Sequence, residues 1–137
     1  MVGLLSPEEI ESVLRRHRVG RIGCLLEDRP YVVPVNYGYD GVAIYVASAD
    51  GQKIDAMRAR PRVCFQVDEI EGTAMWRSVV ADGVYEELTC DCERRNALKQ
   101  IAQAGTAGRP CGLDPSDEII LFRIRLTEKS GRFGLGR

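Results

Sequence analysis

Three β-rich runs follow one another almost without interruption: "GRIGCLLE" over 20–27, "YVVPVNYG" over 31–38 and "VAIYVAS" over 42–48, separated only by "DRP" and "YDG". A parallel crossover takes a dozen or more residues, so separators this short make each run fold back antiparallel on the one before it. Two further strands are expected at "RVCFQVDE" (62–69) and "MWRSVVADGVYEEL" (75–88), with a bulge at Gly83, and a last one at "EIILFRIRLTE" (118–128), where Ile120, Phe122, Ile124 and Leu126 alternate with Leu121, Arg123 and Arg125. Helical spacing is confined to three places. Ser6, Pro7 and Glu9 form a capping box with proline at the first helical position, and Leu5 and Ile10 a hydrophobic staple, so a helix runs from about 7 to 17. A short helix follows Asp50 and stops before Pro61, and "DCERRNALKQIAQAG" (91–105) carries Ala97, Leu98, Ile101 and Ala102 on one face. "TAGRPCGLDPSD" (106–117) reads as a loop. The expectation is a mainly β fold, an antiparallel barrel decorated by helices. The missing strand-helix-strand alternation argues against a doubly wound parallel sheet.

With 137 residues and 45% hydrophobic content there is room for one core, so residues 1–137 are read as a single domain. The net charge of −1, with both signs interspersed, argues against nucleic acid or an anionic membrane as partner. No apolar run approaches the ~20 residues of a membrane span and the N-terminus has no signal-peptide pattern, so a cytoplasmic location is expected. The five cysteines are an odd number without metal-ligand spacing; Cys24 and Cys64 are expected inside the core, and no metal is expected. The single histidine, His17, falls on the first helix, far in sequence from every cysteine.

Lys53 is the anomaly. With Asp50 as N-cap it falls at about the third position of the short helix, where aligned peptide dipoles make a cation unfavourable by roughly 0.3–1 kcal/mol. A bound anion would reverse that sign; the alternative is a solvated lysine offset by Asp50 and Asp55. Pro34 interrupts the strongest strand, which marks an edge, a bulge or an opening where backbone groups are free to meet a ligand. In "WRSV", alternation puts Trp76 and Ser78 on one face and Arg77 on the other.

The ordered set of P-V-N-Y (34–37), G-x-K (51–53), P-x-V-C-F-x-V-D (61–68) and W-R-S-V (76–79), closed by "SGRF" (130–133), resembles the pyridoxamine 5′-phosphate oxidase-like flavin-binding split barrels, in their flavin-nucleotide-binding and nitroimidazole-resistance branch. The likeness covers roughly residues 5 to 133. It implies a six-stranded Greek-key split barrel, a homodimer, and two FMN molecules bound across the subunit interface. Carried over position by position, it implies that Lys53 meets the FMN phosphate and that Gly51 lets the chain approach it. Val33, Pro34, Val35 and Asn36 would lie along the isoalloxazine, with Ala47 and Ser48 on the adjoining strand; Trp76, Arg77 and Ser78 would close the site from the partner chain.

Two positions depart from the family pattern. Nitroimidazole-resistance proteins carry a histidine where Ala47 aligns, and pyridoxamine phosphate oxidases carry a further C-terminal substrate-binding segment that is not seen after "SGRFGLGR". Vitamin oxidation is therefore not expected. The functional expectation is an FMN-dependent oxidoreductase acting on an unidentified small molecule, with hydride passing through the flavin. The alternatives are a flavin carrier or redox sensor without turnover, or a relative that holds deazaflavin or haem, the latter lacking a well-placed axial ligand.

Overall fold

The structure, a computed structural model, describes residues 2–72, 74–105 and 118–135. The elements run β1 (Val2–Leu4), α1 (Pro7–Arg16), β2 (Val19–Leu26), β3 (Arg29–Asn36), β4 (Gly38–Tyr39), β5 (Ala43–Ala49), α2 (Gln52–Ala59), β6 (Arg62–Glu71), β7 (Met75–Glu87), α3 (Asp91–Gln103) and β8 (Ile119–Leu135). The six expected strands are all present. Two short ones, β1 and β4, bring the sheet to eight, because the long β8 continues to Leu135 and offers its last turns of edge to Val2–Leu4. The predicted loop over 106–117, with Cys111, lies outside the described residues.

All pairings are antiparallel in the order β3-β2-β6-β7-β8-β5-β4, with β1 added on β8. The sheet curls without closing. Among the described residues β3 pairs only with β2, and β5 pairs with β8 throughout but with β4 only at Ile44 and Tyr45. An open seam therefore runs between β3 and the later half of β5, which is where Pro34 falls; an edge is the place where a missing N–H leaves the ladder intact. The bulge expected at Gly83 appears as a register shift of β7 against β8 between Asp82 and Gly83.

The inner face of the sheet holds the main core, with Ile22, Phe65, Val79, Phe122 and Ile124 all at 0% exposure. α1 closes one end with Val13 and Leu14, its start fixed by the capping box: Ser6 Oγ accepts from the Glu9 N–H at 3.2 Å and Glu9 Oε1 from the Ser6 N–H at 3.0 Å. α2 contributes Ile54 and Met57 to the same core. α3 lies on the outer face and builds a second cluster with Ala43, Tyr45, Leu88 and Leu121. Only Ala97 and Ile101 of its expected face are buried; Leu98 and Ala102 are exposed, since α3 touches the sheet along a stripe narrower than the sequence pattern. Among the described residues no helix is long and apolar enough to cross a membrane.

Candidate functional site

The two strands flanking the seam present their residues alternately to its two sides. Val33 and Val35 share the inner face with Ile22, whereas Pro34 and Asn36 point outward, Pro34 being exposed and opposite Arg21 on β2. On β5, Ser48 turns inward and is 4% exposed, while Ala47 turns outward and packs partly against the α3 cluster. The Ser48 hydroxyl donates to the neighbouring Ala49 carbonyl at 2.8 Å.

Directly beyond β5 the chain enters α2. The N-cap is Gly51 rather than Asp50, whose carboxylate instead lies 3.6 Å from Arg58. This shift moves Lys53 to the second helical position, closer to the positive end than the sequence suggested. No described side chain caps the helix, and its first backbone bond runs from the Asp55 N–H to the Gly51 carbonyl at 3.0 Å, so the N–H groups of residues 52 to 54 have no intrahelical acceptor. A Cβ on Gly51 would meet nothing within 4 Å, which leaves open space beside those donors. Lys53 is half-buried and forms no ion pair with a described residue. Burial lowers its pKa, opposed only by the electrostatic influence of the Cys24 thiol, whose own pKa burial raises. An uncapped helix start, open space and an unpaired ammonium fit a phosphate group.

Trp76, Arg77 and Ser78 occupy the start of β7, away from that seam. Trp76 and Ser78 face outward and Arg77 inward, as alternation predicts. The Trp76 indole lies over Gly134 of β8, where a Cβ would come within 2.2 Å of Nε1. Ser78 Oγ accepts from Gln66 Nε2 at 3.4 Å, and Gln66 Nε2 also donates to Asp68 Oδ2 at 3.0 Å, with Arg21 Nη1 3.4 Å from Asp68 Oδ1. Sequence reasoning missed Arg21 and Gln66 as neighbours of the site. Their signal was the two-residue alternation, which puts both on the outer face with Pro34 and Ser78, but only the pairing register brings them side by side.

Arg77 points at the other end of the barrel. Its Nη1 lies 3.4 Å from Glu69 Oε2, and the second Glu69 oxygen takes Arg16 and, at 2.8 Å, His17 Nε2. His17, which the sequence left unassigned, is thus the C-cap of α1 and part of this latch. The Arg16 hydrogen bond, assisted by His17 and Coulomb attraction, holds the Glu69 carboxyl at about 2, against an ordinary 4.5. A depressed carboxylate pKa contributes stability that is present above the unfolded value and lost as pH falls through the folded one. Acid unfolding should therefore show a loss of roughly 1–2 kcal/mol between about pH 4.5 and pH 2, reduced from the full linkage value because the arginines are partly solvated. Glu69→Gln should flatten that part of a stability-against-pH curve measured by urea unfolding, and an unchanged slope would show that the latch contributes nothing.

Of the sequence-assigned residues, the structure gathers Val33, Val35, Ser48, Gly51 and Lys53 around the seam and the start of α2. It sets Pro34 and Asn36 on the outer face beside it, and it leaves Trp76 and Ser78 on that face three strands away. Cys24 is buried as expected, but Cys64 faces outward and is half-exposed, because its place in the alternation is set by its core neighbours Val63 and Phe65. Among the described residues no cluster of metal-ligating side chains occurs.

Comparison with known proteins agrees with this architecture. An uncharacterised protein of Rhizobium meliloti (strain 1021) is 35% identical over 142 residues, covering 96% of this chain and 94% of that protein. The crystal structure of an FAD-binding protein from Mesorhizobium loti superposes with a TM-score of 0.80 at 38% identity, covering 98% of this chain and 99% of the other. A Bacteroides thetaiotaomicron structure named for 5-nitroimidazole antibiotic resistance shares the fold with a TM-score of 0.82 at 24% identity, covering 98% and 89% of the two chains. The family model of pyridoxamine 5′-phosphate oxidase matches residues 6–133, nearly the whole length, and the chain accordingly belongs to that family.

Proposed function

We propose that this protein binds a flavin nucleotide, FMN, along the seam between β3 and β5 and uses it as an oxidoreductase on a small molecule. The single observation that carries the reading is Lys53: a half-buried ammonium without a described ion-pair partner, at the uncapped start of α2 and beside open space at Gly51. The likeness to an FAD-binding relative supports the flavin class. The Lys53 ammonium and the N–H groups of residues 52 to 54 would hold the phosphate. The exposed edge of β3 would offer backbone polar groups to the planar ring, while Val33, Val35 and the buried Ser48 exclude water from its inner side. Bound flavin would supply hydride transfer, so the protein's share is position and electrostatics.

The absorption spectrum of the purified protein, before and after denaturation, tests this reading, with the released flavin separated into FMN and FAD. A yellow protein that releases FMN supports it. Release of FAD would keep the phosphate site and change the nucleotide, and a colourless protein that refuses both would overturn it. Reduction by NADH or NADPH followed by acceptor-dependent reoxidation separates an enzyme from a flavin carrier.

A further inference from the structure

Aspartate is among the residues most favoured at a helix N-cap, because its carboxylate accepts from backbone N–H groups two and three positions on. Asp50 stands one residue before the observed cap of α2, separated from the helix only by Gly51, and glycine is the residue that changes backbone conformation most readily. A turn of Gly51 into helical angles would make Asp50 the cap. Its side chain would then take the Gln52 or Lys53 N–H and its carbonyl the Ile54 N–H. Two of the three donors left open at the helix start would be occupied, and a carboxylate would stand beside the Lys53 ammonium. The structure holds the other arrangement, with Gly51 extended and Asp50 turned away.

Arg58 is what holds it there. Arg58 follows Gly51 by close to two full turns, so the two lie on about one face of α2, and a long helical side chain leans toward the N-terminus. Its Nη1 lies 3.6 Å from Asp50 Oδ1. The other edge of the guanidinium is fixed: Nε donates to Glu87 Oε1 at 2.8 Å and Nη2 to Glu87 Oε2 at 3.1 Å, a two-point fork that sets its plane. Glu87 is fixed in turn by the Tyr85 hydroxyl, which donates to Oε1 at 2.7 Å, and the buried Tyr85 ring packs on Phe122 with centroids 5.1 Å apart. Among the described residues only Arg58 meets the Asp50 carboxylate. We propose that Arg58 is a positioning residue for the phosphate site: anchored on Glu87, it draws Asp50 off the start of α2 and keeps the helix donors open to the anion. An exposed ion pair contributes little to stability by itself, but a small energy is enough to choose between two ways of starting a helix. The identity of the anion rests on the flavin reading above; the position of Asp50 does not.

The experiment titrates FMN and riboflavin into wild type, Asp50→Ala, Arg58→Ala and the double variant, and follows amide exchange at Lys53 and Ile54 in the flavin-free proteins. Alanine is used at position 50 because asparagine would cap as well as aspartate. Arg58→Ala is expected to bind FMN about three- to tenfold more weakly, with riboflavin nearly unchanged. It should also slow exchange of the two amides by about the same factor, since both measurements read the share of molecules in which Asp50 caps the helix. Asp50→Ala should change FMN affinity less than about twofold in the wild-type background and restore it in the Arg58→Ala background. A loss that persists in the double variant would overturn the proposal, because Arg58 would then act on the fold through Glu87. An equal gain from Asp50→Ala in both backgrounds would overturn it too, since Asp50 would act by charge alone, and so would unchanged exchange in Arg58→Ala. In a protein that takes no flavin, exchange slowed by Arg58→Ala and returned to normal in the double variant would uphold the positioning of Asp50 and count against the flavin reading alone.

Discussion

Lys53→Ala is expected to weaken FMN binding about ten- to hundredfold, the worth of one charge-assisted hydrogen bond of roughly 1.5–3 kcal/mol, and to leave riboflavin binding nearly unchanged. Riboflavin has the same ring system without the phosphate, so the comparison isolates the phosphate contact. Titration of both flavins into wild type and variant by flavin fluorescence closes a four-cornered cycle. Equal weakening of the two would mean that Lys53 supports the local fold, and no weakening would return it to a solvated cation. The flavin-free variant should be at least as stable as wild type, because a half-buried charge leaves the positive end of a helix. A pH signature accompanies this. Burial lowers the Lys53 pKa in the free protein and a bound phosphate favours the ammonium, so FMN affinity should fall as alkaline pH deprotonates Lys53. The variant should lack that fall, and riboflavin should lack it in both proteins.

Phe65→Ala should destabilise the fold by about 3–5 kcal/mol, the largest single loss expected in this chain. The ring is 0% exposed, stands edge-on to Tyr37 with centroids 4.9 Å apart, and lies over Gly20, where a Cβ would come within 2.3 Å of its Cζ. Tyr37 is itself held by its hydroxyl, which donates to the Leu14 carbonyl at 2.7 Å, so the cavity would open at a junction of β2, β6 and α1 that cannot close on itself. Gly20→Ala in wild type should lose about 1–3 kcal/mol through overpacking, and much less once Phe65 is alanine. Urea unfolding of the two single variants and the double variant measures that coupling. Additive losses would mean that the ring does not need Gly20 beneath it.

The strands and helices were legible because each obeys a local rule. The alternation in "EIILFRIRLTE", the capping box at Ser6 and Glu9, and Gly83 as a bulge all act through neighbours a few residues apart. β1 and β4 were not legible. Three residues and two residues carry too little periodicity to announce a strand, and both exist only because a longer strand offers them an edge. Residue preference alone places Asp50 at the N-cap, yet its carboxylate turns to Arg58, a partner whose position the completed helix supplies.

The same division holds at the candidate site. The amino-acid order alone determined that Lys53 stands against the dipole of a helix start, that Pro34 breaks a strand, and that Trp76 and Ser78 share a face opposite Arg77, because propensity, the dipole and the two-residue period are properties of contiguous chain. Tertiary structure alone decided which of these meet. Strand register, set by how Phe65, Val79 and Phe122 fill one core, opens the sheet between β3 and β5 and turns Arg77 toward Glu69. It also leaves Val32, Val80 and Trp76 on a face that no described helix covers, with Arg21 and Gln66 between them. A slip of one residue in that register would exchange the two faces of a strand, and no local sequence signal carries the pairing of residues tens of positions apart.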